Sequence, residues 1–237
     1  MLEVIVVLVV FGLLALLLGM SRWLAHRPWA SAGNLAIALM LFLTAHHFWP
    51  AVMDLRTYEP LPAKAMIAQV YCERTGSSAY RVTLTRLPGG RMQVFEMSGD
   101  EWRIDARTLV WKGRAAQLGL SPDYRFDRLI ARYQYVEDTD GKGASRPAPS
   151  GFALNDADAT SEDFWAQVRT GSQWAGRVDA LHAYGPWRRM ADGARYDVWM
   201  TRGPHDREAR IDAQPGNEAA AKAMLYTRAN NNVRTQG

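Results

Sequence analysis

Residues 2–20, LEVIVVLVVFGLLALLLGM, carry one charge, Glu3, and no other polar side chain. At 1.5 Å rise per helical residue the run covers about 28 Å, the thickness of one bilayer hydrocarbon core. Leu, Ile, Val and Phe each favour insertion by roughly 0.3–0.6 kcal/mol, so the segment as a whole inserts readily. A cleavable signal peptide would need a basic stretch before a shorter apolar core. Here Met-Leu-Glu precedes the run, and the expectation is an uncleaved anchor. A second apolar segment, WASAGNLAIALMLFLTAHHFW, spans 29–49. Trp29 and Trp49 bracket it, as aromatic residues do at the two bilayer interfaces. Asn34, His46 and His47 lie near its ends, where polar groups can reach headgroups. Adjacent His residues point about 100° apart on a helix, so His46 and His47 make a poor pair on one metal ion. Residues 1–53 thus read as two transmembrane helices.

The turn between them, SRWLAHRP, holds Arg22 and Arg27, and no Lys or Arg precedes the first span. The positive-inside rule puts this turn in the cytoplasm. The N-terminus and everything after the second span then lie outside, which in a Gram-negative cell is the periplasmic side of the inner membrane. Arg56 and Lys64 follow the second span and reduce the asymmetry. Gly12 and Gly19 are seven residues apart, on one helix face, where small residues allow close packing against the other span or another subunit.

Beyond residue 53 the charges of both signs are interspersed, and the whole chain carries only +4. No block of consecutive Lys or Arg appears, which argues against a nucleic-acid footprint. The single Cys72 makes neither an internal disulfide nor a thiolate metal cage. Its setting in MIAQVYC suits a small buried hydrophobe.

Residues 54–65, with two prolines, read as a linker. From 66 to 202 the period changes to two. Ala68, Val70 and Cys72 share a face; Tyr80, Val82 and Leu84 alternate with Arg81, Thr83 and Thr85. Pro88-Gly89-Gly90 supplies a turn with positive φ, RMQVFEM returns, and SGDE turns again into WRIDARTLVW. The reading is a β-meander. It places four acids close in sequence: Glu96, Asp100, Glu101 and Asp105. Glu96 alternates with Met92 and Val94 and is expected at the fringe of a packed face. Asp100 and Glu101 belong to a turn. Asp105 lies between Arg103 and Arg107 on a polar face expected to be wet, with both arginines holding it ionised. A glycosidase-type hydrolase needs two facing carboxyls about 5 to 9.5 Å apart. These four are the catalytic candidates should the domain be an enzyme. The preferred reading is a solvated sheet surface with no catalytic role.

Residues 120–136 fit a helix through Phe126, Leu129, Ile130 and Tyr133, and a strand through Leu129, Ala131, Tyr133 and Tyr135; the Tyr and Phe content favours the strand. Residues 138–151 read as a flexible loop by composition. TSEDFWAQVRTG, 160–171, reads as a short helix with capping-box spacing from Thr160 to Asp163 and an apolar stripe of Phe164, Trp165 and Val168. VDALHAYG and ARYDVWMTR are two further strands, with a turn at Ala191-Asp192-Gly193. Residues 203–237 read as a partly disordered tail with a marginal helix over 217–228 and a Glu218–Lys222 pair. No phosphate-binding glycine loop, HExxH, Cys pair or GxSxG occurs. His182 is expected in the core and His205 in an exposed loop. No metal site or cofactor is implied.

The runs RVTLTRLPGGRMQVFEMSGDEWRIDARTLVWKG, LGLSPDYRFDRLIARY and DALHAYGPWRRMADGARYDV resemble a group of small proteobacterial two-span inner-membrane proteins. These are labelled "cation/multidrug efflux pump" or "multidrug transporter". The resemblance covers most of 66–202 and the paired spans. It implies a transport-related role but brings no catalytic residues with it. Two spans without an interior Asp, Glu, Lys or Arg do not line a substrate path on their own, so such a role would be that of an accessory subunit or an oligomer. The expected fold class is α+β and membrane-anchored. A transmembrane helical hairpin precedes a mainly antiparallel β domain, sandwich or open barrel, with one or two short helices. The expected function is binding or scaffolding in the envelope, with a periplasmic hydrolase and a transporter subunit as alternatives. The expected partners are the bilayer and a homo-oligomer or another envelope protein. Trp102, Trp111, Tyr133, Tyr135, Trp187 and Trp199 could floor an apolar ligand groove.

Overall fold

The computed structural model of the chain describes residues 2–117, 119–133, 149–154, 163–171, 174, 176–203 and 208–234. Two compact units emerge, residues 1–58 with 157–170, and residues 59–156 with 171–237.

The first unit is a helical hairpin. Helix α1 runs Leu2–Leu24 and α2 runs Pro28–Leu55, both longer than the expected spans. Each is long and apolar enough to cross a membrane. The connecting turn therefore shrinks to residues 25–27, with His26 at φ 54°. Helix α2 continues through Pro50, which removes one i→i−4 hydrogen bond without ending the helix. The contact seam has a seven-residue period: Ile5, Gly12 and Gly19 are buried on α1, and Ser31, Ala38, Ala45 and Val52 on α2. A seven-residue repeat of this kind keeps one stripe facing its partner along the whole helix. Glycine is needed on it for space. A Cβ at Gly12 would meet the Phe42 ring at 3.0 Å, and one at Gly19 would meet Leu35 at 3.1 Å. The Ser31 hydroxyl donates to the Gly19 carbonyl at 2.8 Å inside the seam. The packing expected from Gly12 and Gly19 is thus between the two helices.

Helix α4, Phe164–Arg169, belongs to this unit too. Its Phe164, Trp165 and Val168 are buried, as the stripe implied. The cap differs from the capping box expected. Asp163 is itself the N-cap and accepts from the Trp165 and Ala166 N–H groups. Asp54, near the end of α2, accepts from the Phe164 N–H at 3.0 Å. Thr160 lies outside the described residues.

The second unit is a β-sandwich. Its elements are β1 Glu59–Pro60, β2 Lys64–Arg74, β3 Ala79–Arg86, β4 Met92–Ser98, β5 Glu101–Trp111, α3 Arg114–Gln117, β6 Asp123–Arg132, β7 Ser150–Ala153, β8 Val178–Tyr184, β9 Arg188–Arg189, β10 Ala194–Arg202, β11 Ala209–Pro215 and α5 Glu218–Arg234. One sheet has the order β11-β10-β2-β3-β4 and the other β1-β6-β5-β8, with β7 also on β6 and β9 also on β5. All pairings are antiparallel. One core lies between the sheets, built from Val70, Cys72, Val82, Leu84, Tyr196 and Met200 of the first and Trp102, Ile104, Leu129 and Ala131 of the second. Trp102 meets Tyr196 edge-on at 5.5 Å across it.

Several boundaries differ from those read in sequence. The meander ends at β4. The SGDE turn is a corner, not a hairpin, and carries β5 into the other sheet. A Cβ at Gly99 there would sit 2.7 Å from the Arg132 carbonyl oxygen. The linker read at 54–65 is largely structured: α2 takes 54–55, β1 takes 59–60, and Leu61 is 1% exposed in the core. Residues 124–132 form a strand, as the aromatic content indicated. Residues 150–151, read as loop, open β7; 138–148 lie outside the described residues. The tail is the largest correction. All seven residues of β11 pair with β10, Ile211 and Ala213 enter the core, and α5 buries Ala220 fully. The β unit therefore does not stop at residue 202.

Candidate functional site

Strand β5 positions the acids that sequence singled out. Its inward residues are Trp102, Ile104 and Ala106; Glu101, Arg103, Asp105 and Arg107 alternate outward. The outward row was expected to be wet, and it is not. Glu101 and Asp105 are each 2% exposed. The guanidinium of Arg132, opposite on β6, holds Glu101 at 2.6 Å. Arg103 grips Asp105, with Nε 2.8 Å from Oδ1 and Nη2 donating to Oδ2 at 2.9 Å. A bulge in β6 opposite Asp105 and Ala106 inserts Asp127 as an extra residue, and Asp127 lies 2.8 Å from Arg107. A bulge re-aims a side chain in this way. The row is roofed by aromatic rings: Arg103 stacks over Trp187 at 4.7 Å and Tyr184 at 5.2 Å, and Arg132 over Trp187 at 4.0 Å. His182, on β8, stacks on Tyr184 with centroids 5.3 Å apart and is half-buried, not a core residue.

Burial pushes the Asp105 carboxyl above its ordinary range, and the Arg103 hydrogen bond and charge oppose that shift without reversing it. The expectation that flanking arginines hold Asp105 well ionised is thereby corrected: desolvation outweighs the pair. Cys72 is fully buried and its thiol is pushed up to about 12 by burial alone, so it is the inert hydrophobe expected.

The four acids do not converge. Glu96 is exposed, paired with Arg81 at 2.9 Å on the outer face of the five-stranded sheet. Met92 and Val94, which share its side of β4, are 68% and 58% exposed, so that face is not the fringe of a packed one. Glu101 and Asp105 lie on the outer face of the opposite sheet, with the whole sandwich between them and Glu96. Four residues apart on one strand, Glu101 and Asp105 are separated by about 13 Å, beyond the spacing for paired carboxyl chemistry, and Arg103 stands between them. Asp100 is half-buried at the corner, where its backbone N–H donates to the Arg132 carbonyl and its carbonyl accepts from Met190. No group of three or more His, Cys, Asp or Glu side chains suited to a metal ion occurs among the described residues.

A cavity of about 810 Å³ lies in the sandwich at the end of β5. Val110 and Trp111 form its floor, the segment Gly119–Pro122 one wall, and Lys112, Asp179 and Arg202 its polar rim. Helix α3 projects Ala116 onto it between Gly113 at φ 57° and Gly119 at φ 85°. A Cβ at either glycine would meet nothing within 4 Å, so backbone conformation alone calls for glycine there. The Trp111 indole N–H donates to Asp123 at 3.0 Å. Burial raises the Asp123 carboxyl, and the indole bond opposes it. Lys112 is ion-paired with Asp179, and Arg202 donates to the Leu61 carbonyl.

Of the aromatics proposed to floor a groove, Trp111 does line this cavity. Trp102 is in the core, Trp187 roofs the charged row and Trp199 packs under Lys64 at 5.7 Å. Tyr133 is half-buried, while Tyr135 and His205 lie outside the described residues. Sequence reading passed over Lys112 and Arg202. The available signal was the pair of glycines flanking a short Ala-containing stretch directly after a long strand. No protein-family model, curated protein or solved structure matches this chain.

Proposed function

We propose that α1 and α2 anchor this chain in the bacterial inner membrane as a helical hairpin, and that the β-sandwich is a binding or scaffolding module held in the periplasm. The observation that carries the anchor is the outward face of the hairpin. Only 17% of the most apolar window of each helix is buried. Phe11, Leu17, Leu39 and Met40 are 58–70% exposed and form part of a continuous apolar surface. A helix in the core of a water-soluble protein buries that surface, and soluble monomers rarely leave so large a patch open. The packing of Gly12 on Phe42 and of Gly19 on Leu35 supports a first helix retained as partner of the second, in place of a leader cut away. The positive turn between the helices supports a periplasmic sandwich. Binding is favoured over hydrolysis because the four candidate acids are dispersed and three of them, Glu96, Glu101 and Asp105, are ion-paired.

Alkaline carbonate extraction is expected to leave the chain in the membrane pellet, with residues 2–24 intact by mass spectrometry. Recovery of a soluble chain lacking α1 would overturn the anchor. A phosphatase fused after α5 is expected to be active, and a fluorescent protein at the same point dark; the reverse pattern would move the sandwich to the cytoplasm.

A specific feature favours a second reading, an accessory subunit of a multi-component transporter. Ala36, Met40, Leu43 and His47 line an apolar trough of about 490 Å³ along the outside of α2, a surface that a neighbouring apolar helix would cover. The resemblance to two-span proteins labelled as multidrug transporters points the same way. Mild-detergent purification that retains a multi-span partner supports this reading, and a chain that purifies alone counts against it.

A further inference from the structure

We propose that the outward face of α2 is the contact surface for a second copy of this chain, packed parallel and in register through residues 36–47. This rests on the reading of the hairpin as inserted in the membrane, and goes beyond it by assigning the partner. The trough of about 490 Å³ on that face is lined by α2 alone, and six of its seven residues fall into two overlapping sets of four. Ala36, Leu39, Met40 and Leu43 are spaced i, i+3, i+4 and i+7, and so are Met40, Leu43, Thr44 and His47. Four residues at that spacing frame the hole into which a facing helix inserts one side chain. The trough is thus two consecutive holes. Phe48, the seventh residue, packs toward the seam with α1.

Such holes take a row of side chains spaced alternately three and four residues apart. Helix α2 carries that row itself, in Ala36, Met40, Leu43 and His47. Met40 and Leu43 are 70% and 59% exposed, so both stand out from the helix as knobs. In a parallel, in-register pair, Met40 of each copy enters the first hole of the other and Leu43 enters the second. Two copies inserted by the same sequence share one orientation and one depth, so the bilayer imposes that arrangement. Lipid tails are as apolar as these side chains, and what favours a helix here is fit: ordered knobs in ordered holes. The polar groups on the face do not oppose the contact. The Thr44 hydroxyl donates to the Met40 carbonyl at 2.8 Å, and its methyl is left for the hole. His47 ends the row, where two facing neutral imidazoles can bond, one as donor and the other as acceptor.

The test places single cysteines in the full chain, in the membranes of the cells that make it. Cys72 is fully buried in the sandwich core, so it does not compete. Oxidation with copper phenanthroline is expected to give disulfide-linked homodimers from Met40→Cys, Leu43→Cys and His47→Cys, because each row residue faces its own counterpart within the roughly 4.4–6.8 Å Cα separation of a disulfide. Ile37→Cys and Leu17→Cys, 53% and 61% exposed but off the row, are expected to stay monomeric. Ala36→Trp overfills the first hole and should cut the yield of the Leu43→Cys dimer about five- to tenfold. Equal dimer on and off the row reports random collision and overturns the proposal. So does an undiminished dimer in Ala36→Trp. An absence of dimer at every row position makes lipid the cover of the trough, and row crosslinks only to a different protein give the trough to a heterologous subunit; either result overturns the pairing. Alkaline carbonate extraction of the same membranes separates this from the anchor: a retained chain without row dimers overturns the pairing alone, and a released chain overturns the anchor and the pairing with it.

Discussion

Replacing Arg103 by alanine would strand the carboxylate of Asp105, which is 2% exposed and has Arg103 as its charged partner. Breaking a buried pair from one side costs about 3–5 kcal/mol. The loss should depend on pH. Burial already raises the folded-state carboxyl above its unfolded value, so its favourable contribution is complete at low pH and disappears as pH rises through the folded value. Urea denaturation is expected to show Arg103→Ala strongly destabilised at pH 7 and much less so at pH 4, where Asp105 takes up a proton. Asp105→Asn should flatten the stability profile across the same acidic window. The period-two pattern of WRIDARTLVW put Asp105 on one face with Arg103 and Arg107, and that much was legible. That the face is dry was not, because the rings covering it, Tyr184 and Trp187, arrive about eighty residues later in the chain.

Gly12 and Gly19 define the interface of the hairpin by absence of bulk. Gly12→Ile is expected to lower the melting temperature in mild detergent, as overpacking against Phe42 costs about 1–3 kcal/mol. Gly33→Ile, where an added Cβ meets nothing within 4 Å, is the control and should melt close to the parent. The seven-residue spacing of these glycines was visible in sequence because helical period alone fixes it. Strand β11 was not visible. ARIDAQP offers only Ala209, Ile211 and Ala213 as an apolar alternation, two of them alanines, and ends in proline, a pattern that suits an edge strand as well as a coil. What makes it a strand is its partner, β10. Removing residues 203–237 should therefore strip the edge of β10, expose Met200 and Val198, and yield an aggregating or rapidly proteolysed chain. Limited proteolysis of the truncated and full chains would check this.

For the whole molecule, the paired long helices and the antiparallel β unit could be read from composition and period. Sandwich against barrel could not, since the turn after β4 looks the same whether β5 stays in its sheet or leaves it. The end cavity was equally hidden, because its rim joins Lys112, Asp179 and Arg202 from distant parts of the sequence. A fragment beginning at Glu59 is expected to form multimers on size exclusion. Without α2 and its Asp54, the α4 segment presents Phe164, Trp165 and Val168 to water. Polar replacements at these three positions should restore a monomer if this is the cause.

The pairing of β2 with β10 has a kinetic consequence. Lys64 lies opposite Thr201 and Cys72 opposite Ala194, so the central strand of one sheet waits for a neighbour synthesised more than a hundred residues later. The helices meet across a bend of three residues. Contacts so distant in sequence close slowly, and nearby ones fast. On a ribosome the hairpin would zip as soon as α2 emerged, while β2–β4 stayed an open ledge with β2 unprotected. That interval, not the finished protein, is when a chaperone or a stray strand would find its opening.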